Sequence, residues 1–133
     1  AGPELLTECA GIGGCPPGEA RTTKGYNLPA KFVIHTVGPI WRGGQNNEDK
    51  ILASAYIKSL EEAVRIGAQS VAFPAISTGV YSFPPASAAL IAYKSVYDFL
   101  KTHPSIKEVR LVCFSSSSRK LHEKAAEIIS ERE

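Results

Sequence analysis

Short apolar runs alternate along the chain with longer segments that carry an apolar stripe. KFVIHTVGP, residues 31–39, is rich in β-branched residues and closes on Gly38-Pro39, which predicts a strand buried on both faces. SVAFPAI (70–76) and EVRLVCF (108–114) predict two further strands by the same pattern. Between the first two runs, Leu52, Tyr56, Leu60, Ala63 and Val64 recur at helical spacing. Glu48 and Asp49 stand at the start of that segment and Gly67 stands past its end. Pro84-Pro85 introduces a second helical stripe of Ala89, Leu90, Tyr93, Val96, Tyr97 and Leu100. From Arg119 onward, Leu121, Ala125, Ile128 and Ile129 predict a final helix with a charged opposite face. Weaker signals predict a short helix through ELLTECA after Gly2-Pro3, and an edge strand at 19–24 before a turn around Asn27-Leu28-Pro29.

Strand and helix therefore alternate. Parallel strands need crossover helices, so this order predicts an α/β fold, a three-layer α/β/α sandwich around a mostly parallel mixed sheet. With 133 residues and no internal repeat or linker, the chain is expected to form a single domain over 1–133. Hydrophobic content of 44% and charged content of 21% are ordinary for a globular protein, and no apolar run has the ~20 residues of a membrane span. A net charge of +2, without basic residues interleaved with aromatics, gives no reason to expect nucleic acid. The first residues show no secretory pattern, and Cys9, Cys15 and Cys113 form no even-numbered disulfide framework, so a reducing, cytoplasmic setting is expected. His35, His103 and His122 lack metal-ligand spacing, and neither a metal nor a cofactor is called for. His35, inside an apolar strand, reads as a packed and hydrogen-bonded residue.

Candidate chemistry concentrates in FPAISTGVYSFPP, residues 73–85, which follows a strand and precedes a helix. Such a loop lies at the carboxyl edge of the sheet, where open α/β sheets bind ligands. Ser77, Thr78 and Gly79 offer small side chains and backbone N–H groups that can converge on a phosphate or pyrophosphate. Tyr81 and Phe83 offer flat surfaces for a sugar or base. Spacing alone is equally consistent with an ordinary connection, and neither a P-loop nor a GxGxxG fingerprint is present. Phe114, at the same edge, reads either as a base-stacking residue or as core, and the serines after it read as caps of the next helix.

GGCPPGEARTTKGYNLPAKFVIHTVGPIW, then SVAFPAISTGVYSFPPASAA, then LVCF, resemble a macro domain, the ADP-ribose-binding module, in its MacroD-type hydrolase branch. The resemblance implies that Ser77, Thr78, Gly79, Val80 and Tyr81 wrap the diphosphate and distal ribose, and that Phe114 packs on adenine. It implies ADP-ribose, O-acetyl-ADP-ribose or ADP-ribosylated proteins as partners. The chemistry it implies is hydrolysis of an ADP-ribosyl ester. The family's first strands, its Asn-Ala-Ala-Asn motif and its Gly-Gly-Gly-Val-Asp-Gly loop are not found in this sequence. The domain is therefore expected to be incomplete at its amino end relative to the family, with a sheet edge or face uncovered. That part of the family carries an adenine-contacting acid, an asparagine beside the distal ribose and the acid implicated in hydrolysis. No residue here takes the place of that last acid. Glu19 reads as a solvated surface residue, and no catalytic residue is nominated. Two function classes follow: a hydrolase in its complete form, or a reader that binds without turnover.

Overall fold

The computed structural model describes residues 15–25, 31–74, 76–77 and 82–111. The expected ELLTECA helix, the turn at 27–29, the final helix, Cys9, Cys113 and His122 lie outside the described residues. Strand β1 (Ala20–Lys24) pairs antiparallel with β2 (Phe32–Thr36), Ala20 lying opposite Thr36 and Lys24 opposite Phe32. Helix α1 (Glu48–Arg65) leads to β3 (Ser70–Phe73), and helix α2 (Pro85–Thr102) leads to β4 (Glu108–Leu111). Strands β3 and β4 are parallel, with Ser70 opposite Glu108, as a crossover through α2 requires.

Both helices begin where their sequences direct. Glu48 and Asp49 occupy the first turn of α1, where the helix dipole favours negative charge, and Arg65 occupies its last turn. Pro85 opens α2, where its missing N–H costs no helical hydrogen bond. The core joins Leu52, Ala55, Tyr56, Leu60 and Ala63 of α1 to Ala88, Ala92, Val96 and Phe99 of α2, with Phe73, Ile76, Phe83 and Ile106. The buried stripe of α2 differs from the expected one. Ala88, Ala89, Ala92, Ser95, Val96 and Phe99 face inward, whereas Leu90, Tyr93, Tyr97 and Leu100 are half-buried. Small residues turn inward and let α2 approach α1. Tyr97 instead meets the Lys101 ammonium, 4.5 Å from its ring centroid, a cation–π contact suited to a partly wet site.

The strands are less buried than their composition predicts. Positions 33–36 of β2 are half-buried and Phe32 is 41% exposed. Among the described residues, β2 pairs only with β1 and β3 only with β4, and both β2 and β3 line one cleft of about 1080 Å³. An apolar run reports a demand for burial; the described neighbours of β2 meet that demand on one side. His35 is packed as expected, its Nε2 lying 2.9 Å from Thr23 Oγ1 on the adjacent strand. The edge strand is tied to α1, because Thr22 Oγ1 donates to Glu62 Oε1 at 2.9 Å while Arg65 Nε donates to Glu62 Oε2 at 2.8 Å.

Candidate functional site

The ends of β2 and β3 meet. Gly38, two residues beyond β2, is buried against the turn that follows β3. A Cβ built on Gly38 would stand 2.5 Å from Ile76 Cγ2 and closer still to Ser77 Oγ, so only a glycine lets the two chain segments approach this closely. Since α1 is the connection between β2 and β3, this contact brings two carboxyl ends to the same edge, where α/β sheets form their ligand crevices.

Ser77 has a backbone φ of 66°, in the left-handed region that non-glycine residues seldom occupy. Its Oγ is buried and has no hydrogen-bond partner among the described residues. Its carbonyl accepts a hydrogen bond from the Phe83 N–H at 2.9 Å, which holds positions 77 and 83 side by side. Phe83 anchors this contact. Fully buried, it meets Trp41 edge-on, with ring centroids 4.9 Å apart. The expectation that Phe83 presents a stacking surface is thereby corrected: its ring is part of the core, where apolar burial favours it.

Trp41 is held by a loop that Glu48 organises. Glu48 Oε2 accepts from the backbone N–H groups of Arg42 at 2.8 Å and Gly44 at 2.9 Å, and Oε1 accepts from that of Asn46 at 2.6 Å. The Arg42 amide foremost, with those of Gly44 and Asn46, holds the Glu48 carboxyl below its ordinary range against the opposing effect of desolvation. Gly44, at φ +86°, lies under the Trp41 ring; an added Cβ would stand 2.9 Å from its Cη2. The carboxylate near the edge is thus committed to folding the loop. Because the folded value is lowered, its stabilisation is complete above the unfolded carboxylate range and is lost as pH falls through the folded value. Glu48→Gln is therefore expected to lower stability at neutral pH and to flatten the acid side of a stability–pH profile. An unchanged profile on denaturant titration across that range would exclude this role.

Of the residues the sequence nominates, Ser77 stands at this edge. Thr78, Gly79, Val80, Tyr81 and Phe114 lie outside the described residues. Glu19 contributes its backbone to the β1–β2 region, its carbonyl accepting from Thr36 Oγ1 at 2.7 Å. Gly38, Trp41 and Glu48 escaped nomination. Gly38-Pro39 reads in sequence only as a strand terminator and Glu48 only as a helix-start acid. Among the described residues no group of His, Cys, Asp and Glu is placed to hold a metal ion. A groove of about 430 Å³ between α1 and α2, lined by Ala53, Ile57, Ile91 and Phe99 among others, includes no residue of this edge.

Comparison with known proteins places these features in a family. The macro-domain family model matches residues 1–92. A macro domain-containing protein of Methanosarcina mazei is 53% identical over 125 residues, covering 94% of this chain and 67% of that protein. A protein of Escherichia fergusonii named O-acetyl-ADP-ribose deacetylase is 50% identical over 126 residues, covering 92% of this chain and 71% of that protein. The Oceanobacillus iheyensis macrodomain, in a structure with ADP, superposes with a TM-score of 0.94 at 35% identity, covering all of this chain and 73% of its own.

Proposed function

This chain belongs to the macro-domain family, and on that premise we propose that it binds ADP-ribose at the edge built around Ser77. In this reading Ser77, Thr78, Gly79, Val80 and Tyr81 hold the diphosphate and distal ribose, and Phe114 packs on adenine. The observation that carries the proposal is the buried Ser77 Oγ, unpartnered among the described residues, on a left-handed turn. A buried hydroxyl without a partner costs ~1–3 kcal/mol, and a phosphoryl oxygen would supply the missing acceptor. The left-handed turn is also a conformation in which successive backbone N–H groups form an anion-binding nest. Relatives named O-acetyl-ADP-ribose deacetylase, and a neighbour with ADP bound, support the same class of ligand.

In a form that also carries the family's glycine-rich loop, the proposed reaction is hydrolysis of an ADP-ribosyl ester, on O-acetyl-ADP-ribose or on a mono-ADP-ribosylated protein. The residues of this chain would bind and orient the substrate, and their donors around the diphosphate would offset charge developing at the distal ribose. The second reading, a reader of ADP-ribose or ADP-ribosylated proteins without turnover, draws on one specific observation: Glu48, the carboxylate of the adjacent loop, is occupied by three backbone amides rather than offered to water. Among the described residues no helix is long and apolar enough to cross a membrane. The free thiol of Cys15 fits a reducing compartment, and the cytoplasm is the proposed address.

Calorimetric titration tests the binding proposal. ADP-ribose is expected to bind, and AMP, lacking the second phosphate and distal ribose, is expected to bind more weakly. Ser77→Ala separates a ligand-directed hydroxyl from a structural one, because the two roles move stability in opposite directions. Removing an unpartnered buried hydroxyl should raise stability by ~1 kcal/mol and weaken ADP-ribose about tenfold. A fall in stability with unchanged affinity would assign Ser77 Oγ to the fold and reject the site.

A further inference from the structure

Glu48, the first residue of α1, is a carboxylate only 2% exposed. The loop before it, residues 42–47, is exposed throughout, and Asn47 at its end holds a left-handed φ of 60°. A run of polar residues and glycines has no apolar anchor of its own, and a left-handed non-glycine residue persists only where its surroundings over-determine it. The Glu48 carboxylate supplies that constraint by accepting from the amides of Arg42, Gly44 and Asn46. From this loop a continuous series of contacts reaches the Ser77 turn. Gly44 packs so closely on Trp41 that an added Cβ would stand 2.9 Å from Cη2 of the indole. The indole meets the Phe83 ring edge-on at 4.9 Å, and the Phe83 N–H donates to the Ser77 carbonyl at 2.9 Å.

We propose that Glu48 is a positioning residue for ADP-ribose binding: without touching ligand, it fixes the 42–46 loop and, through Trp41 and Phe83, holds the Ser77 turn. Three observations carry this inference. First, the carboxylate is fully engaged, Oε2 by two amides and Oε1 by a third, so its removal frees the loop at three points together. Second, the contacts between loop and turn are close-packed. Interiors packed in this way pass a displacement on to their neighbours, so a shifted Trp41 moves Phe83. Third, Phe83 carries both the ring that meets Trp41 and the amide that holds the Ser77 carbonyl. Gly38 bounds the turn from another side, and a displaced Phe83 would leave the left-handed Ser77 without this second restraint.

The functional half of this inference rests on the ADP-ribose reading, and the test separates the two. Glu48→Gln in the whole chain replaces one accepting oxygen by an amide that cannot accept from the loop. ADP-ribose affinity is expected to fall about tenfold by calorimetry at a temperature where the variant is folded. Trp41 is the chain's one tryptophan, so its emission reports the loop directly and is expected to shift to longer wavelength as the ring gains water. Hydrogen exchange at the Phe83 amide is expected to accelerate about tenfold, while amides within α2 keep their protection. Glu62→Gln is the control, because Glu62 lies on the same helix and ties it to β1 rather than to the loop. It is expected to lower stability and to leave affinity, Trp41 emission and Phe83 exchange unchanged. Unchanged affinity in folded Glu48→Gln, or an equal loss in Glu62→Gln, would overturn the proposal. Should Glu48→Gln not fold, Gly44→Ala decides by the same readouts, since it keeps the carboxylate and displaces the indole. Should the unaltered chain not bind ADP-ribose, the binding reading fails by itself, and Phe83 exchange alone decides whether Glu48 positions the turn.

Discussion

Gly38→Val is expected to weaken ADP-ribose binding by about a hundredfold or more, a loss near ~2.7 kcal/mol, while both helices remain folded. The reason is steric and local. The first atom of any side chain at Gly38 would enter the space of Ile76 Cγ2 and Ser77, and Ser77 Cβ itself stands only 3.2 Å from that point. Short, buried side chains cannot swing clear as the tip of a lysine can, so the turn after β3 must move. On the proposed reading, a turn held left-handed at Ser77 tolerates little movement before the donors it would offer to a diphosphate are misdirected. The cost to the fold should be smaller than the cost to binding. Overpacking of this kind costs ~1–3 kcal/mol, and the α1–α2 core lies on other contacts. Thermal denaturation followed by circular dichroism, beside calorimetric titration, distinguishes the two effects. Retained affinity in a folded Gly38→Val chain would show that the contact between strand ends does not shape the site.

The second large effect is expected at Phe83. Phe83→Ala should lose ~3–5 kcal/mol of stability, the usual cost of deleting a buried aromatic ring. Domains of this kind have ~5–15 kcal/mol in total, so the variant should lose a large share of its stability and melt at a clearly lower temperature. Three contributions are removed together: burial of a fully enclosed side chain, the edge contact to Trp41, and the anchor for the backbone bond from Phe83 to the Ser77 carbonyl. Phe83→Leu should recover much of the loss, because it keeps most of the buried volume. The outcome also decides between two roles. A stacking residue would lose affinity with little change in stability, whereas this ring should lose stability first. Equilibrium denaturation in urea measures it directly, and a loss below ~1 kcal/mol would contradict the burial assigned to the ring.

Much of the fold was legible in the chain. The two long helices announce themselves through stripe, first-turn acid or proline, and terminal glycine, and the described helices begin at Glu48 and Pro85 as those signals direct. Strands 32–36, 70–73 and 108–111 fall inside the three apolar runs. Less legible was which stripe of α2 is buried. Its alanines carry little hydrophobic weight in a pattern, yet they pack inward because a close helix partner favours small side chains over Tyr93 and Tyr97. The candidate site divides in the same way. The Ser-Thr-Gly run after a strand is a local signal and was read as one. The parts that support it are separated in sequence: Gly38 from Ser77, and Trp41 from Phe83.

From the sequence by itself come the order of strands and helices, the family resemblance, and the placing of a small-residue loop at the carboxyl edge of a strand. These follow from periodicity and local composition, which depend on neighbours a few positions apart. The tertiary structure alone decided that Phe83 is core and that Gly38 makes room for Ser77. It alone showed that Glu48 folds a loop through the amides of Arg42, Gly44 and Asn46. Each of those roles is a contact between distant residues. Contacts of that kind are set by how the elements pack, and a linear pattern carries no record of the packing.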